Sequence, residues 1–364
     1  MGAVEAAWRN LEEAASPSFF QSWTWVGCLA AKRFSDAVLL RAELGGHTVG
    51  LALLNRTRGL LGREKLWLNE SGNPALDAVY VEHNGLLLAK GAADWLHLCL
   101  DTLMTEPILP AGFRLRRGRR LRLAGVGEAY VKAAGKAGAA HVLREAYAPF
   151  VDLVALGNPP EAYLASLSAN TRYQIRRSNR AFARLGDVVV QQAETVDEAF
   201  SFLDALAALH QKRWTTRGIR GAFGNPAFVE FHRSLVGRAL PRGELMLMRV
   251  AAGPLVFGYL YNFRHNGRVL AYQTGFDYAT AEAMAGPHAK PGLTAHHLAI
   301  QLARKEGASA YDFLAGPDRY KTSLAHSKTE LYWLEAAAHS SMLGLGFRRH
   351  WRARRTAGKT ADPG

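Results

Sequence analysis

The chain is short of the features that classify a protein at a glance. It has two cysteines in 364 residues. Both Cys28 (VGCLA) and Cys99 (HLCLD) sit in apolar runs, so they read as buried free thiols rather than a disulfide or a metal site. No apolar run approaches the roughly eighteen residues that a membrane-spanning helix needs. The opening MGAVEAAWRNLEE is acidic and lacks the basic-then-apolar order of a signal peptide. Together these favour a cytoplasmic location. Familiar catalytic signatures are also missing. There is no Walker loop, no Gly-x-Gly-x-x-Gly after a strand, no His-Glu-x-x-His and no Gly-x-Ser-x-Gly. His296 and His297 are adjacent in a helical stretch, so they point to different faces and no metal is expected.

Acid is scarce relative to base. Lys and Arg number 45 against 31 Asp and Glu, a formal charge of +14. Such an excess favours an anionic partner: a phosphate-bearing cofactor, an acidic glycan, RNA or a membrane face. Part of it lies in Phe347–Arg355 (FRRHWRARR). That cluster is either a solvated end or a site of peripheral contact with an anionic surface.

Hydrophobic residues make up 49%, and the length suits two domains with a core each. Gly157-Asn-Pro-Pro160 breaks secondary structure and places a boundary there. The expected division is 1–157, 158–345 and a basic tail, 346–364. In the first segment, Asp36–Glu43 and Thr48–Asn55 around Gly45-Gly46 read as a hairpin, and Glu64–Leu68 as a third strand. Gly91–Thr105 follows as an amphipathic helix, then the basic strand-like stretch Phe113–Leu123.

The second segment is more telling. Asn170 is the expected cap of a basic helix, Thr171–Leu185. Thr195 and Glu198 form a capping box before a long helix with the stripe Val196, Phe200, Leu203, Ala207, His210 and Trp214. Asn225-Pro226 opens another helix. Three strands follow: Glu244–Val250, Leu255–Phe263 and Val269–Tyr278, the last two joined through Asn266-Gly267. The loop Gly286–Gly292 leads into a helix over Leu293–Lys305, which Gly307 ends. Then come the apolar run Ala310–Leu314 and Gly316–Lys321. This order sets a helix N-terminus, with its unpaired backbone N–H groups, beside the ends of two strands.

That order, carrying YQTGFDY, KPGLTAHHLAI, YDFLAG and RYKTSL, resembles the GNAT acyltransferase superfamily. It looks like the branch called BioF2-like or CelD-like, related to the FemABX peptidoglycan aminoacyltransferases. The resemblance is firmest over Ala165–Leu334. FFQSW, LWLNESGNPALD and EHNGLL extend it into the first half. It implies an α/β (α+β) fold of two tandem GNAT-like domains, with mixed, mainly antiparallel sheets flanked by helices. It also implies an acyl-CoA co-substrate, acetyl-CoA first, and direct transfer to an amine or hydroxyl acceptor. Members of the branch accompany cellulose and exopolysaccharide genes, which suggests a saccharide acceptor. Two other readings stay open: a FemABX-like transferase using aminoacyl-tRNA, and a non-catalytic module that binds RNA or an anionic glycan.

Candidate site residues follow from both sources. In the pre-helix loop, Gly292 permits close backbone approach, Lys290 can meet a phosphate and Thr294 lies on the first turn. The superfamily's usual Gln/Arg-x-x-Gly-x-Gly/Ala is degenerate here, and Pro291 removes one donor. Arg172 and Arg176 stack one turn apart on the basic helix, as an anion site or a solvated face. Arg213 and Trp214 near a helix end can line a cleft, whereas His210 reads as a core residue. On the third strand, Tyr272, Thr274 and Phe276 are expected to share a face, and Gly275 marks a bulge or close approach. Asp312, inside an apolar strand, is expected to have a raised pKa and to act as a base, unless it is a structural hydrogen-bond partner. The resemblance assigns Tyr320 to protonating a leaving thiolate and Lys321 to stabilising an oxyanion; ordinary surface is the alternative for both.

Overall fold

The structure, a computed structural model, describes residues 2–59, 63–77, 80–106, 119–157, 161–316 and 318–338. The Pro159-Pro160 breaker, the start of the basic stretch up to residue 118, and the tail 346–364 lie outside them.

The described strands form one continuous sheet. In chain order they are β1 (Ala37–Leu44), β2 (His47–Arg58), β3 (Glu64–Leu68), β4 (Leu87–Leu88), β5 (Arg120–Val126), β6 (Ala139–Asp152), β7 (Val188–Gln192), β8 (Leu245–Ala252), β9 (Leu255–His265), β10 (Arg268–Phe276), β11 (Ala310–Asp312) and β12 (Ser327–Ala337). Their order across the sheet is β1-β2-β3-β5-β12-β6-β11-β10-β9-β8-β7, with β4 on β2. Only β3–β5 and β10–β11 run parallel. The sheet is therefore mixed and mainly antiparallel.

A repeat is visible in the topology though not in the residues. Three antiparallel strands lead through a helix to a parallel fourth, first as β1-β2-β3 to β5 and again as β8-β9-β10 to β11. Each unit is closed by a strand from the other end of the chain. The last strand, β12, lies between β5 and β6, and β6 in turn pairs with β11. The two halves thus exchange strands across the boundary expected at residue 157.

Local signals account for most element ends. The β9–β10 turn is Asn266-Gly267, with φ of 46° and 72°, the left-handed values a two-residue hairpin demands. Thr195 caps its helix by accepting from the Glu198 N–H, and Asn225 caps the helix that Pro226 opens. The basic helix differs from expectation. It spans Ala169–Ala183 and is capped by Ser168, which accepts from Thr171 N–H, so Asn170 lies inside it. Ser168 sits three residues before that N–H, the reach a cap requires.

Helices cover both faces of the second unit. On one face, Val196–Thr215 and Pro226–Ala239 pack with the amino-terminal segment against β8–β10. Phe19 stacks on Phe263 at 4.1 Å and 16°, and Trp25 touches Phe20, Phe231, Phe263 and Tyr272. On the other face lie Ala169–Ala183 and Pro291–Lys305. The first unit buries Leu96–Thr105 and Glu128–Ala137. Cys28 and Cys99 are buried free thiols. No helix among the described residues is long and apolar enough to cross a membrane.

Strand exchange predicts that fragments 1–157 and 158–364 do not fold separately, because each lacks a strand that the other supplies. Neither alone should show a cooperative thermal transition, and mixing them from denaturant should restore one. A cooperative transition in isolated 1–157 would contradict the exchange.

Candidate active site

The site begins where two parallel strands part. β11 matches β10 only over Arg268–Leu270 with Ala310–Asp312, yet β10 continues to Phe276. Beyond the last pair the strands diverge around a cavity of about 600 Å³. The β9–β10 register slips between Ala271 and Gln273, making Tyr272 the extra residue of a bulge. The bulge reverses the alternation. Tyr272 packs with Trp25, His232 and Tyr261, whereas Phe276 packs with Tyr278 and His296. The expected common face for Tyr272 and Phe276 is thus corrected. Gly275 is a close approach: a Cβ there would lie 2.5 Å from the Leu206 carbonyl oxygen. It lets the helix Val196–Thr215 lie directly on the strand. Arg213 and Trp214, at that helix's end, line the cavity with Tyr272 and Gly275.

The opposite wall is the N-terminus of Pro291–Lys305. Lys290 caps it without a side-chain bond; its N–H donates to Ser178 Oγ at 2.8 Å, and its carbonyl accepts from Thr294 N–H at 3.1 Å. Pro291 has no N–H. The first-turn donors on the cavity wall are therefore the amides of Gly292 and Leu293. Thr294 is not among the wall residues. It is fully buried, 2.8 Å from Ser178 Oγ, and donates to Asn179 Oδ1 at 3.0 Å. Its hydroxyl fastens the basic helix to this one, so it does not meet a phosphate. Arg172 and Arg176 are corrected too, since neither lines the cavity. Arg172 turns back to the Leu164 and Ala165 carbonyls. Arg177 on the same helix reaches His288 in the loop.

The floor is a strained turn after β11. Leu314 has φ of 58°, costly for a branched residue. Polar groups hold each peptide around it. Asp312 Oδ1 accepts from Leu314 N–H at 2.7 Å. Lys321 Nζ donates to the Leu314 and Ala315 carbonyls at 3.3 and 3.0 Å. Ala315 N–H donates to Glu82 Oε2. Asp312 is wholly buried, with His83 Nε2 and Arg268 Nη2 each 3.0 Å from Oδ2. Burial alone would raise its pKa, but His83, Arg268 and the Leu314 N–H outweigh it and hold the carboxyl below its ordinary value. The expected raised base is therefore overturned; Asp312 is an ionised structural carboxylate. Lys321 is nearly buried, which lowers its pKa despite Glu82 and Asp318 nearby. Tyr320 lines the cavity and stacks on His296 at 5.4 Å and 21°; burial pushes its phenol up, so it stays protonated.

Glu82 is the residue that sequence reasoning missed. In the first unit β3 and β5 pair over Lys65–Leu68 and Arg120–Leu123, and the space beyond is filled. Asn84 Nδ2 donates to the Leu68 and Ala124 carbonyls at 3.2 and 3.0 Å, and its N–H donates to Gly125 O. Gly125 (φ 62°) leaves no room for a Cβ, which would sit 2.4 Å from Val81 O. This plug carries Glu82 and His83 across to the second unit. Glu82 lines the cavity and is 5% exposed. Burial raises its pKa to about 7, against the pull of the Ala315 N–H, Lys321 and His83. Its signal in the sequence was the EHNGLL segment, a carboxylate just before the apolar run Leu86–Leu88.

Three more cations line the cavity: Arg144, Arg213 and Arg217. Each lies over a ring, respectively Trp333 at 4.3 Å, Tyr278 at 4.3 Å and Trp214 at 5.8 Å. No group of three or more His, Cys, Asp or Glu among the described residues could hold a metal ion.

Splayed parallel strands beside a helix N-terminus define the class of fold, and comparison agrees. Residues 169–322 match the family described as "Acetyltransferase (GNAT) domain". The solved structure of FemX superposes with a TM-score of 0.61 at 10% identity, over 90% of this chain and 95% of that one. L-PGS from Bacillus licheniformis gives 0.55 at 10%, over 98% and 97%. The C-terminal domain of a putative lysylphosphatidylglycerol synthetase from Agrobacterium fabrum gives 0.50 at 11%, over 95% of each. No curated protein matches the chain. By that match residues 169–322 are a GNAT acetyltransferase domain, and the chain over its length shares the fold of FemX.

Two stability predictions follow from the floor. Glu82 has a folded-state pKa above its unfolded one, so it destabilises as pH rises from about 4.5 and does so fully above about 7. Glu82→Gln keeps an acceptor for Ala315 N–H and removes that cost, about 3 kcal/mol at most. Its melting temperature relative to wild type should therefore be higher at pH 8 than at pH 5; a difference independent of pH would refute the shift. Asp312→Ala should cost about 1–3 kcal/mol by leaving the buried Leu314 N–H without its acceptor, read from the denaturant midpoint at neutral pH. A loss under about 0.5 kcal/mol would contradict its structural role.

Proposed function

We propose that the protein is an acyltransferase whose cavity between β10 and β11 receives an activated acyl group and passes it to an amine or hydroxyl. The divergence of those strands beside the Gly292 and Leu293 amides carries the reading. An acyl-CoA, acetyl-CoA in the first place, is the donor, its pyrophosphate meeting those amides and Lys290. Glu82 is the base. One of its oxygens is held by Ala315, and a carboxyl titrating near 7 suits proton acceptance at neutral pH. Tyr320, kept protonated, supplies a proton to the leaving thiolate. Lys321 commits two donors to the turn and adds positive charge beside the reacting carbonyl. Arg144, Arg213 and Arg217 form no ion pair with a carboxylate among the described residues, which supports a negatively charged substrate. A saccharide or its nucleotide-linked precursor, in polysaccharide synthesis, is the acceptor class that the resemblance suggests.

A second reading keeps the fold and changes the donor to an aminoacyl ester on tRNA. Two observations favour it: likeness in fold to FemX, and a phosphate loop reduced by Pro291 and by the engaged Thr294 hydroxyl.

Thermal stabilisation by CoA, acetyl-CoA and longer acyl-CoAs separates the two. With acyl-CoA as donor, acetyl-CoA at 100 times its Kd should stabilise by about 2.7 kcal/mol. Lys290→Ala/Gly292→Asp should abolish the rise. No shift with any acyl-CoA would overturn the first reading and make charged tRNA the next donor to test.

A further inference from the structure

His296 has no part in the reading above, yet it belongs to the cavity wall. It is 1% exposed, on the helix Pro291–Lys305. Its Nδ1 lies 3.0 Å from the Tyr311 hydroxyl, which Asn262 Nδ2 reaches at 3.3 Å. Tyr311 is on β11 and Asn262 on β9, so a helix and two strands fix the chain of contacts. Nε2, by contrast, is buried with no hydrogen-bond partner. The ring cannot swing to find one: Tyr320 lies flat against it, and Phe313 meets it edge-on at 5.3 Å.

A neutral imidazole holds one proton, and the chain of contacts dictates where. Burial, with Lys321 nearby, pushes the His296 pKa down to about 3, so the ring is neutral at working pH. Burial likewise keeps the Tyr311 phenol protonated. An amide NH₂ only donates. The Tyr311 oxygen therefore receives a hydrogen from Asn262 and gives its own to His296 Nδ1. The imidazole proton is left on Nε2.

We propose that His296 is a catalytic residue whose Nε2–H donates to the acyl carbonyl oxygen as it becomes an oxyanion. This rests on the acyltransferase reading of the same cavity. The acceptor's lone pair bonds to the acyl carbon, and the C=O π pair moves onto oxygen. His296 holds that oxygen without surrendering its proton. The pair then returns, the bond to the leaving group breaks, and its electrons leave with that group as thiolate. The acceptor's proton passes to Glu82 and on to solvent. The thiolate takes one from Tyr320, which recovers it from solvent. A rigid neutral donor suits this task because it needs no reorientation as charge develops.

Two measurements on the full-length protein test it. Long-range ¹H–¹⁵N correlation of ring-labelled histidines, with His296→Gln to assign the signal, reads the tautomer directly. A protonated Nε2 and a bare Nδ1, unchanged from about pH 5.5 to 8.5, are expected. The opposite tautomer, or titration in that range, overturns the proposal. Tyr311→Phe should release the tautomer while keeping the fold. Turnover of acetyl-CoA with hydroxylamine as stand-in acceptor gives the second readout. His296→Phe should lower kcat about 100-fold or more with KM for acetyl-CoA unchanged, and Tyr311→Phe should lower it less. A His296→Phe kcat within about threefold of wild type overturns the role. Wild-type protein inert to acetyl-CoA would instead overturn the acyl-CoA reading, and the tautomer signal then judges His296 independently.

Discussion

The antiparallel pairing of β6 with β12, running from Phe150 against Ser327 to Ala139 against Ala337, is the interaction on which the rest of the molecule depends. A strand that leaves its neighbour exposes backbone donors and acceptors, and buried ones must be matched elsewhere. β11 is three residues long and departs from β10 after one short ladder. It holds its course because β6 secures its other edge, and β6 is held in turn by β12. Without the exchange, the opening beside β10 would have no rigid second wall.

The two units divide the work unequally. Each has a parallel pair with room for a splay, but Asn84 and its neighbours fill the first. The filling segment then serves the second unit: Glu82 reaches the Ala315 peptide and His83 the Asp312 carboxylate. One half has its splay filled and lends Glu82 to the wall of the other half's cavity.

Charge at the floor is arranged for holding as much as for chemistry. Asp312, Lys321 and Glu82 each bind a peptide group of the turn at Leu314. A left-handed leucine persists only where its surroundings impose it. Ionised Asp312 has Arg268 and His83 within 3.0 Å. Glu82, with the Ala315 N–H and a weaker pull from Lys321 and His83, titrates at about 7. The contrast between two buried carboxyls is one of partners, not of burial.

By itself the sequence determined the local elements and marked one domain. Asn266-Gly267 made a hairpin, Thr195 and Asn225-Pro226 opened helices, and the order of motifs over Ala165–Leu334 marked the GNAT domain. It also singled out Lys290, Gly292, Gly275, Lys321, Tyr320, Arg213, Trp214 and Tyr272, all of which meet at one cavity. These signals are short-range: they depend on spacing, turn chemistry or helical period. Tertiary structure alone decided the pairing of β6 with β12, the bulge at Tyr272 that turned Phe276 to the other face, and the arrival of Glu82. It decided as well that Asp312 is paired, that Thr294 is spent on Ser178 and Asn179, and that Arg172 and Arg176 do not line the cavity. Each of these hangs on which distant group comes within a few ångströms. A carboxylate's pKa and a hydroxyl's freedom are properties of such neighbours, and no local pattern encodes them.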